Sequence, residues 1–389
     1  PATARTMCTY RTRQHDSRWD HRDPTFGCIQ RTSGVASMTV DALITETASR
    51  LFREQCTHSA IQQAEANGGA PEIWQAFAET GFPWISLPEE AGGSGGTLLD
   101  ALEVLRLVGY YAAPIPAAET GILGGWLLAS AGLELPEGIV TVAPGSTSQT
   151  STDTISVSGD GVVTGTAHMV PWGRHAERLA LVGNGIVASV PAAAATISHA
   201  TSLGGEPRDT LTFDGVQADI APAPEGVDAD ALKFRGALSR VALMAGAMEK
   251  MSQLTVSYTN EREQFGRPVA RFQAVQQHLV WASQDAALTR MAADSSGREA
   301  NRGDARFEIA SAKLVANQAA TRATKACHQA HGAMGMTQEY ELHHSSRRLW
   351  TWRSEYGGVR EWSAWVGQLA AAQGADGLYP LIAGGSAQL

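Results

Sequence analysis

The chain has 389 residues, enough for two or three domains around a large buried core. Hydrophobic residues make up 43% and charged residues 18%, the balance of a globular protein, and the formal net charge of −9 argues against a nucleic-acid-binding surface. No apolar run approaches the roughly eighteen residues needed to span a membrane, which excludes an integral helical membrane protein.

Residues 1–37 are polar, carry several arginines and lack helical periodicity, and the first periodic apolar segment follows Met38 with Val40, Leu43, Ile44, Ala48 and Leu51. This leader has no apolar core for secretion, and Asp16, Asp20 and Asp23 suit a mitochondrial presequence poorly. It reads as a disordered extension ahead of a natural start at Met38. From 38 to 135 the pattern is helical, with clusters of turn-formers at 66–71 and 90–96. From 136 to 228 it changes to short β-type runs at 139–142, 154–157, 161–165, 179–182 and 210–213, divided by Gly, Pro, Asn and Asp. Long helical patterns fill the region from 229 to 389, the longest over 272–296 and 306–330. The fold class is therefore α+β multidomain: an amino-terminal helical domain, a middle β domain and a carboxy-terminal helical domain. Cys8, Cys28, Cys56 and Cys327 show neither C-x-x-C spacing nor partner histidines in ligand register, so no zinc site or disulfide framework is expected, and a reducing cytoplasm is the default.

The most informative stretch joins two helical patterns through one short turn. Apolar residues at helical spacing run from Val241 to Tyr258, Gly266, Arg267 and Pro268 break the pattern, and helical spacing resumes at Val275. At this corner Arg262, Gln264 and Gln273 surround Phe265, offering a permanent cation, two amides and an aromatic face. On residue types alone that is an ordinary helix turn with solvated polar groups. Arg262-x-Gln264-Phe265-Gly266, followed six residues on by Phe272-Gln273-x-x-Gln276, nevertheless resembles a signature of the acyl-CoA dehydrogenase family. Two further segments resemble the same family in the same order: Trp74 to Gly93, with its Leu87-Pro88-Glu89-Glu90-x-Gly92-Gly93 turn, and Gln329-x-x-Gly332-x-x-Gly335-x-x-x-Glu339.

The resemblance implies a helical domain, an antiparallel β domain and a four-helix bundle, with FAD between the last two and its adenosine end reaching a neighbouring subunit. Carried over by position, Arg262, Gln264, Phe265 and Gln273 contact the diphosphate and adenosine, and Gln329 and Gly332 line the same groove. Trp172 is the candidate for contact with the flavin ring, its alternative being a tryptophan that fills the β-domain core. Of the family's Thr-Glu-Pro-x-x-Gly-Ser-Asp loop only Pro144, Gly145 and Ser146 have counterparts here, and its acids are missing.

The family's catalytic glutamate takes the α-proton of the thioester while a hydride leaves the β-carbon. Counting from Gly332, its position falls on Tyr356, beside Gly357, with Glu355 one residue earlier. Trp352-Arg353-x-Glu355-Tyr356-Gly357 resembles a variant found in some members, so Glu355 is the expected base, against the alternative of an ion pair with Arg353, Arg348 or Arg360. A second family location for the base falls on Gly236, where no carboxylate stands. Arg235, Arg240 and Arg271 are candidates for CoA phosphates or for surface charge. His331, His343 and His344 lack a carboxylate in ligand register, so no metal is expected.

The activity so implied is FAD-dependent oxidation of an acyl-CoA to the trans-2-enoyl-CoA, with electrons passed to an electron-transfer flavoprotein, by a homo-oligomer or an α2β2 assembly. The alternative is a non-catalytic partner subunit of a heteromeric dehydrogenase, which predicts a weakened loop and a shifted glutamate. A flavin monooxygenase on the same fold is the third reading.

Overall fold

The computed structural model describes residues 40–144 and 152–388. The leader over 1–37, and Gly145 and Ser146 of the shortened loop, lie outside these residues. Asp41 caps α1 (Ala42–Gln55) by accepting from the Leu43 N–H at 2.8 Å. Thr57 does the same for α2 (His58–Asn67), which stops at Gly68 in the left-handed conformation, and Pro71 opens α3 (Pro71–Ala78). A reciprocal Thr97–Asp100 capping box starts α4 (Leu98–Tyr110), and a π-helical stretch, Ala118–Gly125, leads into α5 (Trp126–Ser130).

Strands follow: β1 (Val140–Ala143), β2 (Ser156–Val157), β3 (Val162–Pro171), β4 (Arg178–Gly183), β5 (Ile186–Pro191), β6 (Thr196–Ser198), β7 (Arg208–Gln217) and β8 (Asp219–Pro222). They form two four-stranded sheets, in the orders β1-β4-β5-β8 and β2-β3-β7-β6. The expected antiparallel pairing holds for every neighbouring pair but one, since β1 runs parallel to β4. Period two sorts the first sheet onto two cores: Ala180, Val182 and Val187 face the helices, and Leu179, Leu181, Ala188 and Val190 face the second sheet.

Asp228 caps α6 (Ala229–Glu261), 33 residues long and buried almost without interruption from Gly236 to Met248. A helix buried on all sides must run through the middle of the domain, and α6 packs against α4 as well as against α7 (Gln273–Ala300) and α8 (Arg306–His331). Between α6 and α7 the short strands β9 (Glu263–Gln264) and β10 (Arg267–Pro268) make a hairpin turned by Phe265 and Gly266, both at positive φ. After α8 come α9 (Leu342–Trp352) and α10 (Val359–Gly384), the latter broken at Gly374. No helix among the described residues is long and apolar enough to cross a membrane.

The α4–α6 contact is a backbone approach made by glycines. A Cβ on Gly246 would stand 1.8 Å from the Arg106 carbonyl oxygen, and one on Gly109 would stand 2.0 Å from that of Leu243. Gly246→Ala is therefore expected to destabilise the protein by about 1–3 kcal/mol or more. Gly183→Ala, where a Cβ meets nothing within 4 Å, should shift the urea midpoint little.

Candidate active site

The seam between the β domain and the carboxy-terminal helices is built from buried charges of alternating sign. Glu355 lies in the turn after α9, at 5% exposure. The Nε of Arg208 donates to its Oε1 at 2.7 Å, and the Nε of Arg240 donates to its Oε2 at 2.6 Å. Arg208 Nη2 also donates to Glu206 at 2.9 Å, and Arg240 Nη2 to Glu119 at 2.6 Å. From Glu206 the chain continues to Arg348, whose Nε stands 3.5 Å from it, and from Arg348 Nη1 to Glu65 at 2.9 Å.

Each member is placed by a different element. Arg208 starts β7 opposite Pro171 of β3, Arg240 sits mid-α6, Glu119 belongs to the π-helical stretch and Glu65 to α2. The Glu355 turn is gripped from both sides: Lys313 Nζ donates to the Trp352 carbonyl at 2.8 Å, Asn317 to that of Gly357 at 3.2 Å, and the Trp362 indole to that of Tyr356 at 3.0 Å. Burial by itself would raise the Glu355 carboxyl. The two guanidiniums overcome that and bring it down to about 2. For the neighbouring Lys313, burial dominates and lowers the ammonium to about 7.

These contacts bear on several of the sequence expectations. None of the three arginines considered as partners for Glu355 binds it; its partners are Arg208 and Arg240. Arg240 is fully buried in the seam, so its expected role at CoA phosphates is corrected to an internal ion pair. A general base requires a carboxyl that desolvation raises; at Glu355 the two guanidiniums reverse that shift. At the second base location, Gly236 lies against the Tyr356 ring, where a Cβ would meet Cδ1 at 2.2 Å. A carboxylate side chain has no room there.

The expected flavin residues divide into two groups. Arg262, Gln264, Gln273, Gln329 and Gly332 are all exposed, and Phe265 is 91% exposed, its ring edge-on to Phe272 at 6.1 Å. Tyr258 stacks on His331 with 4.6 Å between ring centroids, which ties the end of α6 to the end of α8 and puts the two parts of this group at the same end of the bundle. A guanidinium, amides and two bare glycines open to solvent offer the donors and the close backbone approach that a diphosphate and adenosine require. Trp172, in contrast, is 3% exposed, in the left-handed conformation, with its ring 6.0 Å from that of His175. So buried, its indole offers no open face to a flavin ring.

Sequence reasoning missed Glu119, Glu206 and Arg208. One signal was available for the first: a lone acid inside the apolar run from Pro116 to Leu123 demands a buried cationic partner. Glu355→Gln leaves two buried guanidiniums short of charge and should cost about 3–5 kcal/mol at pH 7. The Glu355 carboxyl titrates lower in the folded protein than its ordinary 4.5, so its contribution is complete above about pH 4.5 and lost as pH falls through about 2. The gap between the wild-type and Glu355→Gln denaturation midpoints should accordingly narrow across that window.

The chain matches the acyl-CoA dehydrogenase amino-terminal domain over residues 41–134 and the acyl-CoA dehydrogenase carboxy-terminal domain over residues 234–361. It is 29% identical to the acyl-CoA dehydrogenase FadE27 of Mycobacterium tuberculosis, over 70% of this chain and 80% of that one. Among solved structures it resembles the ChsE4-ChsE5 complex from Mycobacterium tuberculosis, with a TM-score of 0.78 and 22% identity over 86% of this chain and 99% of the other. It also resembles a variant of the Tcur3481-Tcur3483 steroid ACAD, with a TM-score of 0.77 and 24% identity over 86% and 98%. In sequence and in fold, this chain belongs to the acyl-CoA dehydrogenase family, oxidoreductases acting on the CH–CH group of an acyl-CoA thioester.

Proposed function

We propose that this chain is the partner subunit of a heteromeric, FAD-dependent acyl-CoA dehydrogenase. The assembly oxidises an acyl-CoA to the trans-2-enoyl-CoA and delivers the electrons to an electron-transfer flavoprotein. This chain contributes the exposed corner at Arg262, Gln264, Phe265 and Gln273 to FAD held together with another chain, and the other chain supplies the base. When bound, FAD would supply the acceptor for the hydride that leaves the β-carbon.

The observation that carries this reading is the state of Glu355. Removing an α-proton calls for a carboxylate with a free oxygen and a pKa near neutrality. Both oxygens of Glu355 are taken by arginines, which hold its carboxyl well below the neutral range. Three further features support the reading. Tyr356 fills the space beside Gly236. Trp172 is closed to a flavin ring. Val280, Trp281, Leu288 and Met291 form an exposed apolar stripe on α7, leading away from the hairpin, of the kind that subunit contacts cover. Two of the similar structures are named for pairs of chains, one of them for a steroid ACAD.

The visible spectrum of the protein purified alone tests this, from about 300 to 550 nm, with straight-chain, branched and steroid-ring acyl-CoAs added without an acceptor. The expected result is a colourless protein, or a yellow one that no thioester bleaches. Bleaching by a thioester, abolished in a folded Glu355→Gln variant, would overturn the proposal and make the chain a self-sufficient dehydrogenase with Glu355 as its base.

A further inference from the structure

His58 opens α2, and His343 and His344 lie in the first turn of α9. One ring nitrogen from each lies within 4.8 Å of the other two. The hydrogen bonds behind the rings fix two of the tautomers. His344 Nδ1 stands 3.3 Å from Glu65 Oε1, and a carboxylate only accepts, so the proton is on Nδ1 and Nε2 turns a lone pair toward His58 Nδ1, 2.9 Å away. His343 Nε2 stands 3.2 Å from the Gln338 carbonyl, while its Nδ1 stands 3.2 Å from the guanidinium of Arg347, which only donates. Its proton is therefore on Nε2 and its lone pair on Nδ1.

Metal-ligating histidines are held in the same way, the outer nitrogen donating to a carboxylate or carbonyl and the inner one carrying the lone pair that coordinates; here those lone pairs face His58 and Arg347. We propose that His58, His343 and His344 bind a transition-metal dication that prefers neutral imidazole, with Zn2+ as the reference ion, and so join α2 to α9. Three imidazoles leave a fourth position for water on the half-buried side of His58 and His343. On binding, His58 moves its proton to Nε2 and presents Nδ1. Glu65 stays behind His344 and remains paired with Arg348. Arg347, only partly buried, swings away from His343.

Isothermal titration of the protein with ZnCl2 and with MgCl2 tests the site. The expected result is one saturable Zn2+ site, no comparable Mg2+ site because Mg2+ favours oxygen ligands, and a melting temperature raised by Zn2+. His58→Ala and His343→Ala, both half-buried positions with folding checked by circular dichroism, should each weaken Zn2+ binding at least tenfold; the exposed control His199→Ala should not. Arg347→Gln should strengthen it, which mere packing of three rings does not explain. Absence of saturable Zn2+ binding, or binding unchanged in folded His58→Ala and His343→Ala, would overturn the proposal.

Discussion

Seven charged side chains in unbroken alternation, Glu119, Arg240, Glu355, Arg208, Glu206, Arg348 and Glu65, set the relative placement of the elements that carry them. Removing each ion from water costs several kcal/mol, and only close contact with an opposite charge offsets that. If β7 moved relative to α6, Arg208 and Arg240 would no longer share one carboxylate, and the remaining groups would be buried without compensation. The glycine contact between α4 and α6 and the grip of Lys313, Asn317 and Trp362 on the Glu355 turn serve the same geometry. The seam is therefore a registration device more than a source of net stability.

The same electrostatics bears on chemistry. A carboxylate becomes a base through desolvation without a partner, and becomes a structural anion through desolvation with one. Glu355 is desolvated and has two partners. Tyr356, next along the chain, folds back on Gly236, so the two places where a base is expected fill one another. At the far end of α6 the situation is reversed: cation, amides and aromatic ring stand exposed to solvent.

Much of the fold was legible because it rests on local periodicity. The helices expected over 272–296 and 306–330 are α7, Gln273–Ala300, and α8, Arg306–His331, because period-3.6 apolar spacing and the Gly and Pro breaks act within a few residues. Strands β1, β2, β3, β4 and β7 overlap the expected runs, whereas β5, β6 and β8 were passed over. Ile186–Pro191 is apolar on both faces and lacks alternation, and the other two are short edge strands of mixed character. The parallel pairing of β1 with β4 leaves no trace in either strand's composition.

By itself the sequence determined the order of helical, β and helical regions, the break at Gly266, Arg267 and Pro268, and the family, because these follow from spacing and from short contiguous motifs. Only the tertiary structure decided what the charged groups do. Arg208 lies 147 positions from Glu355, Arg240 lies 115 from it, and His58 lies 286 from His344. A carboxylate's role is set by what surrounds it within a few ångströms, and those neighbours arrive from distant segments only when the chain folds.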